Sequence, residues 1–117
     1  MRPSEIRQME IRWVDFPFSD GSEHKKRPSL VVSNDAYNRG PDVLAVSVTS
    51  NLAARPYAVV LNERHFSQGK LPMESRVRAD KIYSFERKQI GPVIGRISPT
   101  FFALVVKQIR QLIEEQG

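Results

Sequence analysis

The chain has 117 residues, 40% hydrophobic and 26% charged, a composition that fits one globular domain with one core and is too small for two. It has no cysteine, which excludes disulfides and thiolate metal sites, and no apolar run near the length of about 18 residues that a membrane-spanning helix needs. The start, Met1 to Ile6, lacks the apolar core of a signal peptide, so a cytoplasmic protein is expected. Its net charge of +5 favours anionic partners, although charge alone fits a merely soluble basic protein equally well.

Glu10 to Phe16 reads as a first strand, with Ile11 and Trp13, then Val14 and Phe16, divided between two faces. Pro17-Phe18-Ser19-Asp20-Gly21-Ser22 supplies turn formers, and Pro17 to Lys26 is expected to be a long exposed loop ending in the basic tip Lys25-Lys26-Arg27. Ser29 to Ser33 is the second strand. Asn38-Arg39-Gly40-Pro41-Asp42 is a turn cluster that stops any regular element before the third strand, Val43 to Val48. Tyr57 to Leu61, Ser75 to Ile82 and Val93 to Ile97 follow as further strands, and most connections are too short for crossover helices, so the pairing is antiparallel. Asn62 to Glu74, with Gly69 and Pro72, reads as a mobile loop. Ser98 is an N-cap and Pro99 the first helical residue of one helix. Its apolar stripe of Phe101, Phe102, Val105, Ile109, Leu112 and Ile113 must be buried. The expected architecture is mainly β: a small curled antiparallel sheet with a C-terminal helix, one domain over residues 1–117 with 1–8 as an N-terminal extension.

Three strand ends carry polar groups: Arg27 before Pro28, Thr49-Ser50-Asn51 after the third strand, and Arg78-Ala79-Asp80 on the fifth. If they converge, the chemistry suits a phosphate. A guanidinium binds two phosphate oxygens at once, a hydroxyl donates to a third group, and a carboxylate moves a proton. Each residue also has a plainer reading. Arg27 can be a solvated strand-end charge, Thr49 can satisfy its own turn, and Arg78 with Asp80 can be a simple ion pair. A histidine's unperturbed pKa suits proton transfer, but His24 sits on an exposed loop beside basic residues, where a solvated histidine is the favoured reading. Two histidines without cysteine or an acidic cluster do not make a metal site, and His65 receives no role. Phe18 is an aromatic residue on a Gly-containing loop beside basic groups, where a ring can stack on a base of a single strand, whereas Trp13 and Tyr37 read as core or dimer residues.

The order of motifs resembles the MazF/PemK family of toxin endoribonucleases (mRNA interferases) of type II toxin-antitoxin pairs. The likeness runs from about Glu10 to Ile113. It rests on Glu10-Ile11 with Val14-Asp15-Phe16, Arg27-Pro28-Ser29-Leu30-Val31-Val32-Ser33-Asn34 followed by Tyr37-Asn38, Val48-Thr49-Ser50, Ser75-Arg76-Val77-Arg78-Ala79-Asp80-Lys81-Ile82, and Ile94-Gly95-Arg96-Ile97-Ser98. The resemblance implies an SH3-like barrel of the CcdB/Kid/MazF kind, usually a homodimer. It implies sequence-selective cleavage of single-stranded RNA through a 2′,3′-cyclic phosphate, with no metal or cofactor, inhibition by a cognate antitoxin, and DNA binding by the joint complex.

On that resemblance Arg27 and Thr49 are catalytic, with Asp80 and Arg78 assisting. Phe18, Ser22, Glu23, His24, Lys25, Lys26, Ser50 and Asn51 are the expected RNA-binding positions. The chain departs from the family pattern at Met9, where a glycine usually stands, at Tyr83, where an arginine often does, and at Ser22, the place of a histidine in some members. A gyrase-poisoning toxin of the CcdB kind, or a degenerate relative that binds RNA without cutting it, is the alternative. The polar ending Glu114-Glu115-Gln116-Gly117 offers no aromatic anchor for the gyrase mode.

Overall fold

A computed structural model of the chain describes residues 5–17 and 24–115, without the side chains of Pro17 and His24. In chain order the strands are β1 (Glu10–Pro17), β2 (His24–Val31), β3 (Asp42–Thr49), β4 (Ala58–Leu61), β5 (Phe66–Gly69), β6 (Ser75–Glu86) and β7 (Ile90–Ile97). A one-turn helix, α1 (Asp35–Asn38), follows β2, and α2 (Pro99–Ile113) closes the chain. The strands form one antiparallel sheet in the order β4-β6-β3-β2-β1-β7-β5, and the mainly β expectation with a single long C-terminal helix holds.

Alternation decides which side chains meet. Ile11 of β1 stands opposite Leu30 of β2, which in turn stands opposite Val46 of β3. All three are fully buried, in a cluster with Val48, Val77, Ile97 and the α2 residues Phe101, Phe102 and Val105. Helix α2 starts where expected, because the Ser98 hydroxyl oxygen accepts the Phe101 N–H at 3.2 Å and Pro99 needs no partner. The stripe is only partly covered: Leu112 and Ile113 are 37% and 73% exposed, so the last turn runs past the sheet. On the opposite sheet face Val14, Ala45 and Phe85 pack together, and Phe16 meets Tyr83 and Phe85 edge-on at 5.3 and 5.0 Å.

Several elements differ from the sequence expectation. Strand β2 begins at His24, inside the expected loop, since Lys25 and Lys26 pair with Phe16 and Asp15 of β1. Solvent-facing polar residues hide such an extension from a hydrophobicity pattern. Strand β5 lies in the segment expected to be a mobile loop. It is held against β7 by a close approach at two glycines. A Cβ on Gly95 would stand 2.5 Å from the Gln68 carbonyl oxygen, and Gly69 has φ of +70°. Helix α1 forms inside the motif Ser33 to Asn38 because the Asn34 side chain accepts the Tyr37 N–H at 2.9 Å. Buried Asn38 donates to the Ser33 carbonyl at 2.9 Å, and the Ser33 hydroxyl bonds back to the Asn38 side chain. Tyr37 is 47% exposed and Trp13 40%, so neither belongs to the core of this chain.

The backbone at Met9 shows why a glycine suits this position. Its N–H donates to Val31 O and its carbonyl accepts from Ile97 N, both at 3.0 Å, tying β2 to β7 ahead of β1. That bridge demands φ of 76°, a left-handed conformation that costs a residue with a Cβ about 1–2 kcal/mol and glycine almost nothing. Met9→Gly is therefore expected to be more stable than Met9→Ala by about 1 kcal/mol in urea unfolding, the reverse of the usual glycine penalty.

Candidate active site

The ladder between β2 and β3 ends at the pair Ser29 and Ser47, just before Pro28, which has no N–H to donate. Two residues beyond on each strand come Arg27 and Thr49. Continuing the register sets them opposite one another, and both line one groove of about 300 Å³. Lys25 and Ser50 line it as well. Its other walls are Trp13 and Pro28, which face each other across the β1–β2 ladder, and the segment containing Leu71, Pro72, Met73 and Ser75. The convergence of the Arg27 and Thr49 strand ends is thus a property of the sheet register.

The plainer of the two roles expected of Thr49 is present. Its Oγ1 accepts the Asn51 backbone N–H at 3.1 Å, which satisfies the turn. The hydroxyl proton remains available for donation into the groove. Asn51 then uses its side-chain oxygen to accept the Ala53 N–H at 3.0 Å and does not line the groove. Arg27 is exposed and has no hydrogen-bond or ion-pair partner among the described residues, so its guanidinium is free to take two oxygens of an anion. Lys26 is exposed opposite Asp15, outside the groove lining. Phe18, Ser22 and Glu23, and the side chain of His24, lie outside the described residues.

Arg78 and Asp80 stand apart from this groove. Val46 pairs with Ile82 and Ser47 with Arg78, leaving Ala79, Asp80 and Lys81 unmatched in a bulge of β6. The bulge lets Arg78 grip its neighbour with hydrogen bonds from Nε to Oδ1 at 3.0 Å and from Nη2 to Oδ2 at 2.8 Å. This bidentate grip outweighs desolvation, which acts in the opposite direction, and holds the Asp80 carboxyl below its ordinary pKa. Such a carboxylate is a weaker base than an ordinary one. Among the described residues no cluster of three His, Cys, Asp or Glu side chains has a metal-binding arrangement.

Residues 7–113 match the family of PemK-like, MazF-like toxins of type II toxin-antitoxin systems. The chain belongs to that family. The endoribonuclease MazF2 of Mycobacterium bovis is 31% identical to it over 114 residues, spanning 93% of this chain and 97% of that protein. A mycobacterial endoribonuclease solved with its cognate antitoxin superposes with a TM-score of 0.76 at 21% identity, covering 95% of this chain and 99% of the other. A MazE–MazF crystal structure from Deinococcus radiodurans gives a TM-score of 0.76 at 23% identity, covering 93% and 96%. The curled sheet with its C-terminal helix is therefore the fold of this toxin family, the SH3-like barrel that the motifs implied.

For a MazF-like toxin the groove holds more than the motifs revealed. Trp13 and the Leu71 to Met73 wall escaped the sequence reading, Trp13 because its place in an alternating strand looks like core. Arg76 of β6 pairs directly with Thr49, so their side chains share a face. The register that reveals this cannot be read from a single strand.

His65, left without a role by the sequence, is a structural clip of the toxin. Its Nδ1 accepts the Asn62 N–H at 3.1 Å, its carbonyl accepts the Ser98 N–H at 2.8 Å, and its ring lies 4.6 Å from that of Phe101. Burial first, and the charge of Arg64 second, hold its pKa below the ordinary value. Protonation would also remove the acceptor at Nδ1. Below about pH 6.5 the unfolded chain therefore binds more protons than the folded one. The stability contributed by neutral His65 is complete above that pH and is lost as pH falls through the lowered folded value. Urea midpoints are expected to drop from pH 7.5 to pH 5, and His65→Gln is expected to show a shallower drop.

Proposed function

We propose that this MazF-family toxin is a metal-independent endoribonuclease acting on single-stranded RNA. The 2′-hydroxyl gives up its proton to water as its oxygen attacks the adjacent phosphorus, the P–O bond to the 5′-oxygen breaks, and that oxygen takes a proton from water, leaving a 2′,3′-cyclic phosphate and a 5′-hydroxyl. The observation that carries this reading is the meeting of Arg27 and the undonated Thr49 hydroxyl on one groove. Arg27 balances the charge of the phosphorane and Thr49 donates to one of its oxygens, an electrostatic contribution that is usually the largest single source of rate. Arg78 and Asp80 act as a pair. Asp80, kept ionised, orients Arg78 toward the approaching RNA backbone and contributes little as a base. Lys25 and Lys26 steer the strand by charge. Ser50, on the groove, contacts the bound RNA, with Asn51 next to it in the chain, and Phe18, Ser22, Glu23 and His24 remain candidates for RNA binding on the family resemblance.

The same reading gives the toxin a cognate antitoxin, by analogy with the mycobacterial relative solved with one, and a cytoplasmic site of action. It also gives a homodimer, supported by apolar side chains left open on β6, Ile82 at 41% and Tyr83 at 39% exposure. Among the described residues no helix is long and apolar enough to cross a membrane.

The test is digestion of end-labelled single-stranded RNA in excess chelator, with the product ends identified by phosphatase and kinase treatment. Cyclic phosphate and 5′-hydroxyl ends support the reading. Loss of cleavage on chelation, or 5′-phosphate ends, contradicts it.

A further inference from the structure

Trp13 is the sole tryptophan of the chain and lies in the middle of β1, yet it is 40% exposed between buried Arg12 and buried Val14. It opens onto the groove that holds Arg27 and Thr49. Its backbone is held from both sides. Pro28 stands opposite it on β2, and β7 approaches so closely at Gly91 that an added Cβ would come within 2.8 Å of the Trp13 carbonyl oxygen. The ring is therefore carried by a strand flanked on both sides, at a register shift between β1 and β7. Across the groove Met73 is 60% exposed, and with Leu71 it gives the far wall an apolar character. A large exposed aromatic ring sharing a groove with a guanidinium that has no partner among the described residues is the pairing that holds single strands, with a base on the ring and its phosphate on the cation.

We infer that Trp13 is the stacking platform for one unpaired RNA base next to the phosphate held by Arg27, with Met73 closing over that base. This rests on the RNA-cleavage reading and deepens it, since it places the nucleobase as well as the phosphate. Stacking is tolerant of base identity, so Trp13 sets how tightly the strand is held and leaves the choice of sequence to other groups.

Because no other tryptophan is present, intrinsic fluorescence reports on this ring alone. The experiment titrates the toxin with dye-labelled, mixed-sequence 2′-O-methyl RNA octamers, which lack the attacking hydroxyl, and with an abasic backbone of the same length. Binding is followed by anisotropy, and cleavage of unmodified RNA is measured in parallel. The expected result is quenching of Trp13 by the octamers and none by the abasic backbone. Trp13→Ala should weaken octamer binding about 5- to 150-fold and leave the abasic affinity unchanged. Trp13→Phe, which keeps a ring, should recover most of the loss and guards against a folding defect. Octamers that bind without quenching, and with the same affinity for Trp13→Ala, would overturn the platform while leaving RNA cleavage standing. A toxin that neither binds the octamers nor cleaves unmodified RNA overturns both.

Discussion

Arg27→Ala is expected to lower single-turnover RNA cleavage about 10²- to 10³-fold, the loss typical of removing one preorganised group that stabilises transition-state charge. Arg27 has no hydrogen-bond or ion-pair partner among the described residues, so the fold does not depend on its charge. The unfolding free energy of the variant in urea should match the wild type within about 0.5 kcal/mol. Arg27→Lys restores the charge without the planar fork and should fall between the two. The plainer view of Arg27 as a solvated strand-end charge makes the opposite forecast, since a surface cation that only steers RNA would change the rate severalfold and strongly with salt. The size of the loss, and its persistence at high salt, separates the two roles.

Phe101→Ala is expected to cost about 3–5 kcal/mol, the largest stability effect of any change considered. Phe101 is 1% exposed and belongs to the buried cluster that α2 shares with Ile11, Leu30, Val77 and Ile97 of the sheet. Its ring also seats that of His65 at 4.6 Å, so truncation loosens the turn before β5 as well as leaving a cavity. Against a typical total of about 5–15 kcal/mol, such a loss leaves a marginal fold. Ile113→Ala, on the same helix but 73% exposed, should change stability by less than about 0.5 kcal/mol. Thermal and urea unfolding of the two variants side by side give the comparison.

The elements legible in the sequence were those whose apolar period faces a core. Helix α2 was visible from Ser98-Pro99 and the recurrence of Phe101, Phe102 and Val105, and β3 from the run ending at Val48. What escaped was set by backbone pairing rather than side-chain pattern. Strand β5 depends on the close approach of Gly69 and Gly95, and residues that permit such contact look like loop formers. The polar start of β2 depends on its partner β1. The arginine and threonine of the groove were visible as residues but not as neighbours, because their meeting follows from the Ser29–Ser47 register and from Pro28. Trp13 was misleading for the converse reason. An aromatic ring in an alternating strand normally points inward, yet this one is 40% exposed, at a register shift between β1 and β7.

The central claim is that Arg27 and Thr49 act together on one phosphate. A double-mutant cycle tests it most directly, with single-turnover cleavage of one RNA in excess chelator by wild type, Arg27→Ala, Thr49→Ala and the double variant. Groups that work as a unit on a single transition state are strongly non-additive, so the double variant should lose little more than the worse of the two single ones. Losses that multiply as for independent sites, or rates that neither substitution changes, would contradict the account.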